Sequence, residues 1–335
     1  MSSRDTNDAS DWFVCLDSAT GIEVWKHSYV AKGNLDYGNS PRAAPLIVEP
    51  NVYLLGAFGD LSCLDLENGS VRWRKHLIKD LGGTIPAWGY CSSPLYFRDR
   101  LIVQPGGSQS HMIALDLKSG KTIWKNSGRA AAYASPMLFA HRNQHQVIAY
   151  DVESLGGWSL DDGTRLWEMK PKNSSDFNVP TPIVTPHGIV LVSENNGTRL
   201  HLLNGDGMLQ MQPAARFEDL CGDTHTPICL SDMLVGTHQG LYVLDLKNRL
   251  ELAHHVEMKE LDGNCSIIGF ENRALILNQD ANLSLFEIEG GKAKLLGKAQ
   301  LDVAKGEILS HPAVHGGVLY VRTSNAVEAW LLGEK

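Results

Sequence analysis

The 335 residues contain no stretch of low complexity, no adjacent pair of cysteines and no excess of basic charge. An unbroken apolar run of about 18 residues, the length needed to cross a bilayer as a helix, is also missing. Each absence removes a class of protein. Lys and Arg total 30 against 38 Asp and Glu, a formal charge of −8. With the pI near 5.9, this argues against a nucleic-acid or anionic-membrane partner, since both would need a basic face. The opening MSSRDTNDAS lacks the hydrophobic core of an export signal. No GxSxG, HExxH, phosphate-loop or EF-hand pattern occurs, and PGGSQS from Pro105 reads as a Gly-rich turn between strands. Helical 3.6-residue spacing is absent throughout.

The six cysteines follow no zinc spacing, and Cys15 and Cys63 occupy equivalent strand positions that suit a small buried hydrophobe. Cys91, Cys221, Cys229 and Cys265 are read the same way. Thirteen histidines are scattered: His141 and His145 fall on an expected hairpin turn, His254 and His255 on an outer strand, and none suggests a metal site.

What is present is repetition. FVCLDSATGIEVWK from Phe13 returns as LSCLDLENGSVRWR from Leu61, as MIALDLKSGKTIWK from Met112 and, shortened, as GWSLDDGTRLWE from Gly157. Weaker copies follow. The last large apolar residue before each turn falls at Leu16, Leu64, Leu115, Leu160, Leu203, Leu244, Phe286 and Trp330, at intervals of 48, 51, 45, 43, 41, 42 and 44. A period of roughly 40 to 50 residues marks a propeller blade or a solenoid turn. Each phrase reads as a β-hairpin: a short apolar strand, a turn holding Gly or Asn for positive φ, and a returning strand. Trp25, Trp73, Trp124 and Trp167 recur at one place in that returning strand, where a large aromatic fills the wedge against the neighbouring blade.

A second strand pair precedes the hairpins and in most repeats opens on a proline, after Ser or Thr at Pro94, Pro136, Pro182 and Pro227 and after His at Pro312. There a proline starts an inner strand, where its missing donor costs little. Four antiparallel strands per repeat predict an all-β propeller of eight blades, the first and last incomplete, with seven blades as the alternative. Residues 1–11 are expected to be a disordered segment and 12–333 a single propeller domain. Because the chain opens directly into half a blade, two further strands and any export signal are expected upstream.

The phrase IALDLKSGKTIW resembles the repeat of the PQQ-like β-propeller family, and the resemblance covers essentially the whole chain. That family includes the pyrroloquinoline-quinone (PQQ) alcohol dehydrogenases, the outer-membrane assembly lipoprotein propeller and many bacterial envelope proteins of unassigned activity. Stretches similar to KDLGGTIPAWGYCSSPLYFRDRLIVQPGG and NVPTPIV bring it nearest the last group. The resemblance implies a fold more than an activity. A quinoprotein dehydrogenase would need calcium held by Glu and Asn, an aspartate base, a stacking tryptophan and usually a vicinal disulfide. The chain has no vicinal cysteines, no matching Asp-Glu-Asn set and no CxxCH haem segment.

The expected function is therefore a non-catalytic binding or scaffold module of the bacterial envelope, with no cofactor and no metal; the alternative is a PQQ- and calcium-dependent alcohol dehydrogenase. A periplasmic or secreted location is implied for a full-length parent, with the cytoplasm left open. Loops leading into the inner strands of a propeller meet at its central channel. Arg42, Trp88, Tyr90, Tyr133, Asn178, Thr181, His225 and His311 are the candidate ligand-binding residues there. They suit a protein partner or a small polar or carbohydrate-like ligand. The insertion LIKDLGGTIPAWGY, which makes one interval 51 residues, adds chain beside them.

Overall fold

A computed structural model describes residues 1–335 apart from 142–143, 304–306, 324–325 and 334–335. The hairpin turn expected at 141–145 falls on 142–143, outside the described residues. Apart from one 3₁₀ turn at Lys259–Leu261, the described regular structure is entirely β. Its strands form eight antiparallel sheets, six of four strands and two of three, the blades of an eight-bladed β-propeller; the seven-blade alternative is set aside. In chain order the blades span residues 2–30, 46–76, 95–125, 137–169, 183–217, 228–256, 265–300 and 313–331. Contacts group the chain into two compact units, Met1–Thr181 with Gly205–Met208, and Pro182–Asn204 with Leu209–Lys335.

The repeated phrase folds as its chemistry requires. In the hairpins anchored at Asp17, Asp65 and Asp116, the aspartate side chain accepts backbone N–H groups of the turn, such as Thr20 at 2.8 Å, Asn68 at 3.1 Å and Ser119 at 2.8 Å. This Asx geometry holds the turn without a longer loop. The register shifts by one residue at the anchor in each case, between Cys15 and Leu16, Cys63 and Leu64, and Ala114 and Leu115. That bulge strengthens the local twist that a blade needs. Each Pro-led inner strand starts where expected, at Leu95, Met137, Ile183, Ile228 and Ala313, directly after its proline.

Alternation decides which blades share a core. In the third blade Leu101, Val103, Ile113 and Leu115 pack with Tyr53, Leu61 and Trp73 of the second. The intervening Ile102, Met112 and Ala114 pack with Val147, Ala149 and Trp158 of the fourth. Central strands are thus apolar on both faces, which explains why the sequence shows short apolar runs there rather than polar alternation. In the second unit Leu275, Leu277 and Leu319 form one such layer and Val235, Val243, Ile276 and Phe286 another.

The hairpin tryptophans lock successive blades. The indole N–H of Trp25 donates to the Leu66 carbonyl at 2.8 Å, that of Trp73 to Leu117 at 2.9 Å, and that of Trp124 to Leu160 at 3.0 Å. Each ring covers the turn glycine of the following hairpin: Gly69, Gly120 and Gly163 have φ of +72°, +66° and +75° and no room for a side chain. Trp167 departs from the pattern. Its indole donates to the Gln146 side chain at 2.9 Å, and Gln146 in turn donates to the Gly207 carbonyl at 3.1 Å.

The amino terminus corrects the sequence reading. Instead of a disordered segment, Ser2–Arg4 forms a strand paired with Asp11–Phe13, so the first blade has three strands where two were expected. The cause is electrostatic. Asp11 is fully buried and receives the Arg4 guanidinium at 2.6 Å, which also donates to the Ala31 carbonyl at 2.7 Å. Asp8 ties the intervening turn to Arg4 and, through Asn39 at 2.6 Å, to the next segment.

Candidate functional site

Four aromatic side chains converge in the first unit. Trp88 stacks on Tyr133 with ring centroids 4.4 Å apart and planes at 26°. Phe177 lies 4.9 Å from Trp88, and Tyr37 meets it edge-on at 5.7 Å and 79°. With Asp36 and Ala87 they line an open concavity of about 580 Å³. Tyr37 is 90% exposed and Phe177 55% exposed, an unusual use of large apolar surface outside a core.

The chain positions these rings by special backbone. Tyr37 itself has φ of +61° and Gly38 has +91°, a left-handed stretch that costs free energy for a non-glycine residue. Arg42 secures it: its guanidinium donates to the carbonyls of Ser40 at 2.8 Å, Gly38 at 2.7 Å, Asp36 at 3.1 Å and Tyr37 at 3.4 Å. Arg42 is therefore a loop clamp and does not line the concavity. Trp88 is presented by the insertion the sequence singled out. There Gly89, at φ of +71°, lies so close to the Ala57 carbonyl that a Cβ would fall 2.7 Å from its oxygen.

The other expected residues divide. Tyr90 is buried and donates to the Pro105 carbonyl at 2.9 Å, supporting the Trp88 loop from beneath. Asn178, with φ of +56°, is buried; its amide donates to Asp151 O at 3.1 Å and its carbonyl receives Ala134 N–H at 3.0 Å. The Thr181 hydroxyl accepts Ser135 N–H at 3.3 Å. These three brace the loops rather than face the concavity. In the second unit His225 is buried with Nε2 at 2.6 Å from the Thr237 carbonyl, which assigns that nitrogen the proton, while His311 is exposed. Burial pushes the His225 pKa down, partly offset by the hydrogen bond to Thr237, and the nearby His238 and His311 lower it further.

Tyr37 and Phe177, which line the concavity, were not among the candidates read from the sequence. A shared signal precedes both: Asp36-Tyr37-Gly38 and Asp176-Phe177-Asn178 have the same pattern of acid, aromatic and left-handed residue.

The residues do not fit a quinone with calcium. All six cysteines are free, and burial pushes the thiols of Cys63, Cys91 and Cys265 up to about 11, far from a reactive thiolate. Among the described residues no three His, Cys, Asp or Glu side chains are grouped to hold a metal ion, whereas calcium takes six to eight oxygens. No helix among the described residues is long and apolar enough to cross a membrane.

An all-β repeat of antiparallel blades with interlocked tryptophans defines a PQQ-like β-propeller. The chain belongs to the family whose model is described as "Outer membrane protein assembly factor BamB", which matches residues 10–251. It is 25% identical over 156 residues to the outer membrane protein assembly factor BamB of Salmonella typhimurium, a match covering 46% of this chain and 35% of that protein. The chain thus spans about a third of the length of that relative. Among solved structures it resembles BamB from Moraxella catarrhalis, with a TM-score of 0.66 at 15% identity over 99% of this chain and 98% of that one. It also resembles the quinohemoprotein alcohol dehydrogenase of Comamonas testosteroni, with a TM-score of 0.60 at 12% identity over 94% and 68%. At such identities these two likenesses show the fold alone.

Proposed function

We propose that this protein is a non-catalytic binding propeller of the bacterial cell envelope, which holds a protein partner on the loop face that carries Trp88. The observation that carries this reading is the pairing of exposed Tyr37 and Phe177 with half-buried Trp88 and Tyr133 around an open concavity. Aromatic side chains supply much of the energy of protein contacts, and a monomer gains nothing by displaying them in water. Support for the envelope comes from relatives named as outer membrane assembly factors. Support for a non-catalytic role comes from the thiols held neutral and from the lack, among the described residues, of grouped His, Cys, Asp or Glu side chains that could hold a metal.

Site-specific photo-crosslinking in the source cells tests the reading, with the photoreactive residue at Tyr37 or, as control, at Val71 on an outer strand. A discrete protein adduct from position 37 in the envelope fraction, with none from position 71, is expected. Equal labelling from both positions, or dye-linked alcohol oxidation on adding PQQ and calcium, would overturn it.

A further inference from the structure

The aromatic concavity has a charge as well as a shape. Asp36 is the one carboxylate among the residues that line it, and no Lys or Arg lines it. The guanidinium of Arg42, on the same loop, has its donors taken up by four backbone carbonyls, although its charge is still felt at Tyr133 beside that of Asp36. An incoming group therefore meets ring faces and a negative charge. Trp88 and Tyr133 are stacked at 4.4 Å, so their facing surfaces are already used. Tyr37 and Phe177, both exposed, each meet the Trp88 ring of that stack.

Resting on the binding reading above, we infer that the concavity receives an arginine side chain from an extended basic segment of the partner protein, its guanidinium against the aromatic faces and paired with Asp36. The argument is charge complementarity. Arginine combines a planar, weakly hydrated cation that stacks on aromatic rings with donors matched to a carboxylate. A neutral ligand would use the rings and leave the carboxylate without a counter-charge, while an anionic ligand would be repelled by it. Lysine, a compact and strongly hydrated point charge, gives up the planar stacking. The chain's net charge of −8 acts in the same direction over longer range.

The probe is an unstructured peptide, acetyl-Gly-Arg-Gly-Arg-Gly-amide, compared with its citrulline analogue, which keeps the shape and loses the charge, and with chitotetraose as a neutral glycan. Binding is read by calorimetry at low salt and by tryptophan fluorescence. The arginine peptide is expected to bind at least tenfold more tightly than the citrulline peptide. Asp36→Asn should remove that difference, and Trp88→Ala should abolish binding with the unfolding transition otherwise retained. Asp36→Asn changes an exposed side chain, so it keeps the test valid if Trp88→Ala unfolds the loop. Equal affinity for the arginine and citrulline peptides would overturn the inference. Chitotetraose binding that is lost in Trp88→Ala would overturn the cationic partner while leaving the concavity as the binding site. No response from any probe, with position 37 failing to crosslink in cells, would overturn the inference and the binding reading together.

Discussion

Trp124 occupies the space that a side chain on Gly163 would need: a Cβ built there would fall 2.5 Å from the indole Cε3, and the same ring donates its N–H to the Leu160 carbonyl at 3.0 Å. One contact thus links the repeated tryptophan and the repeated turn glycine of consecutive blades. Trp73 and Gly120 repeat it.

Replacing Trp73 or Trp124 with Ala should destabilise by about 3 to 5 kcal/mol, because the indole leaves a cavity between two blades. Gly163→Ala should cost about 1 to 3 kcal/mol from its left-handed backbone before any steric conflict is counted. Denaturant unfolding of the three variants measures this, and a loss below about 1 kcal/mol for both tryptophan variants would mean that the blades are not held in this way.

Arg4→Ala strands a fully buried carboxylate at Asp11, and breaking a buried pair on one side costs about 3 to 5 kcal/mol. Exchange of amide protons should report it locally. The strand Ser2–Arg4 and its partner Asp11–Phe13 are expected to be protected in the parent protein and to lose that protection in the variant. Free exchange at residues 2–4 in the parent would mean the strand does not form.

Acid should weaken the fold through buried histidines. Burial lowers the pKa of His111, His201 and His225 from the usual 6.5. Protonation is then easier in the unfolded chain than in the folded one. Their contribution to stability is whole above about pH 6.5 and is lost as pH falls through the lower folded-state values. The melting temperature is expected to drop between pH 7 and pH 5, and the drop should shrink in His111→Asn. An unchanged slope in that variant would show that His111 is charged when folded or does not titrate in this range.

Dialysis against a chelator should leave the melting temperature where it was. The residues offer no grouped donor set for a metal among those described. A fall of several degrees, restored by calcium or zinc, would reveal a site that these side chains do not suggest.

The blades were legible because their signals are local. The Asp-led turn at Asp65 and the bulge beside it are built from neighbours in sequence, so a fourteen-residue phrase carries them intact. The strand Ser2–Arg4 was not legible. Nothing in MSSRDTNDAS is apolar enough to announce a strand, and it is held by Arg4 reaching Asp11 and Ala31. Trp167 likewise looks like the other three tryptophans in sequence, yet its acceptor is the Gln146 side chain, 21 positions away. Of the candidate residues read from the sequence, Trp88 and Tyr133 line the concavity, while Tyr90 and Asn178 are turned onto the backbone carbonyls of Pro105 and Asp151.

By itself the sequence determined the all-β propeller repeat and the strands within most blades, with eight blades expected and seven left open. These follow from a period and from turn chemistry. Tertiary structure alone decided which side chains meet. Tyr37, Trp88, Tyr133 and Phe177 stand 44 to 51 positions apart in the chain and come within 6 Å of Trp88 only because stacked blades bring equivalent loops together. The direction of a loop side chain is set by through-space partners such as the carbonyls that hold Arg42, and no periodicity records those.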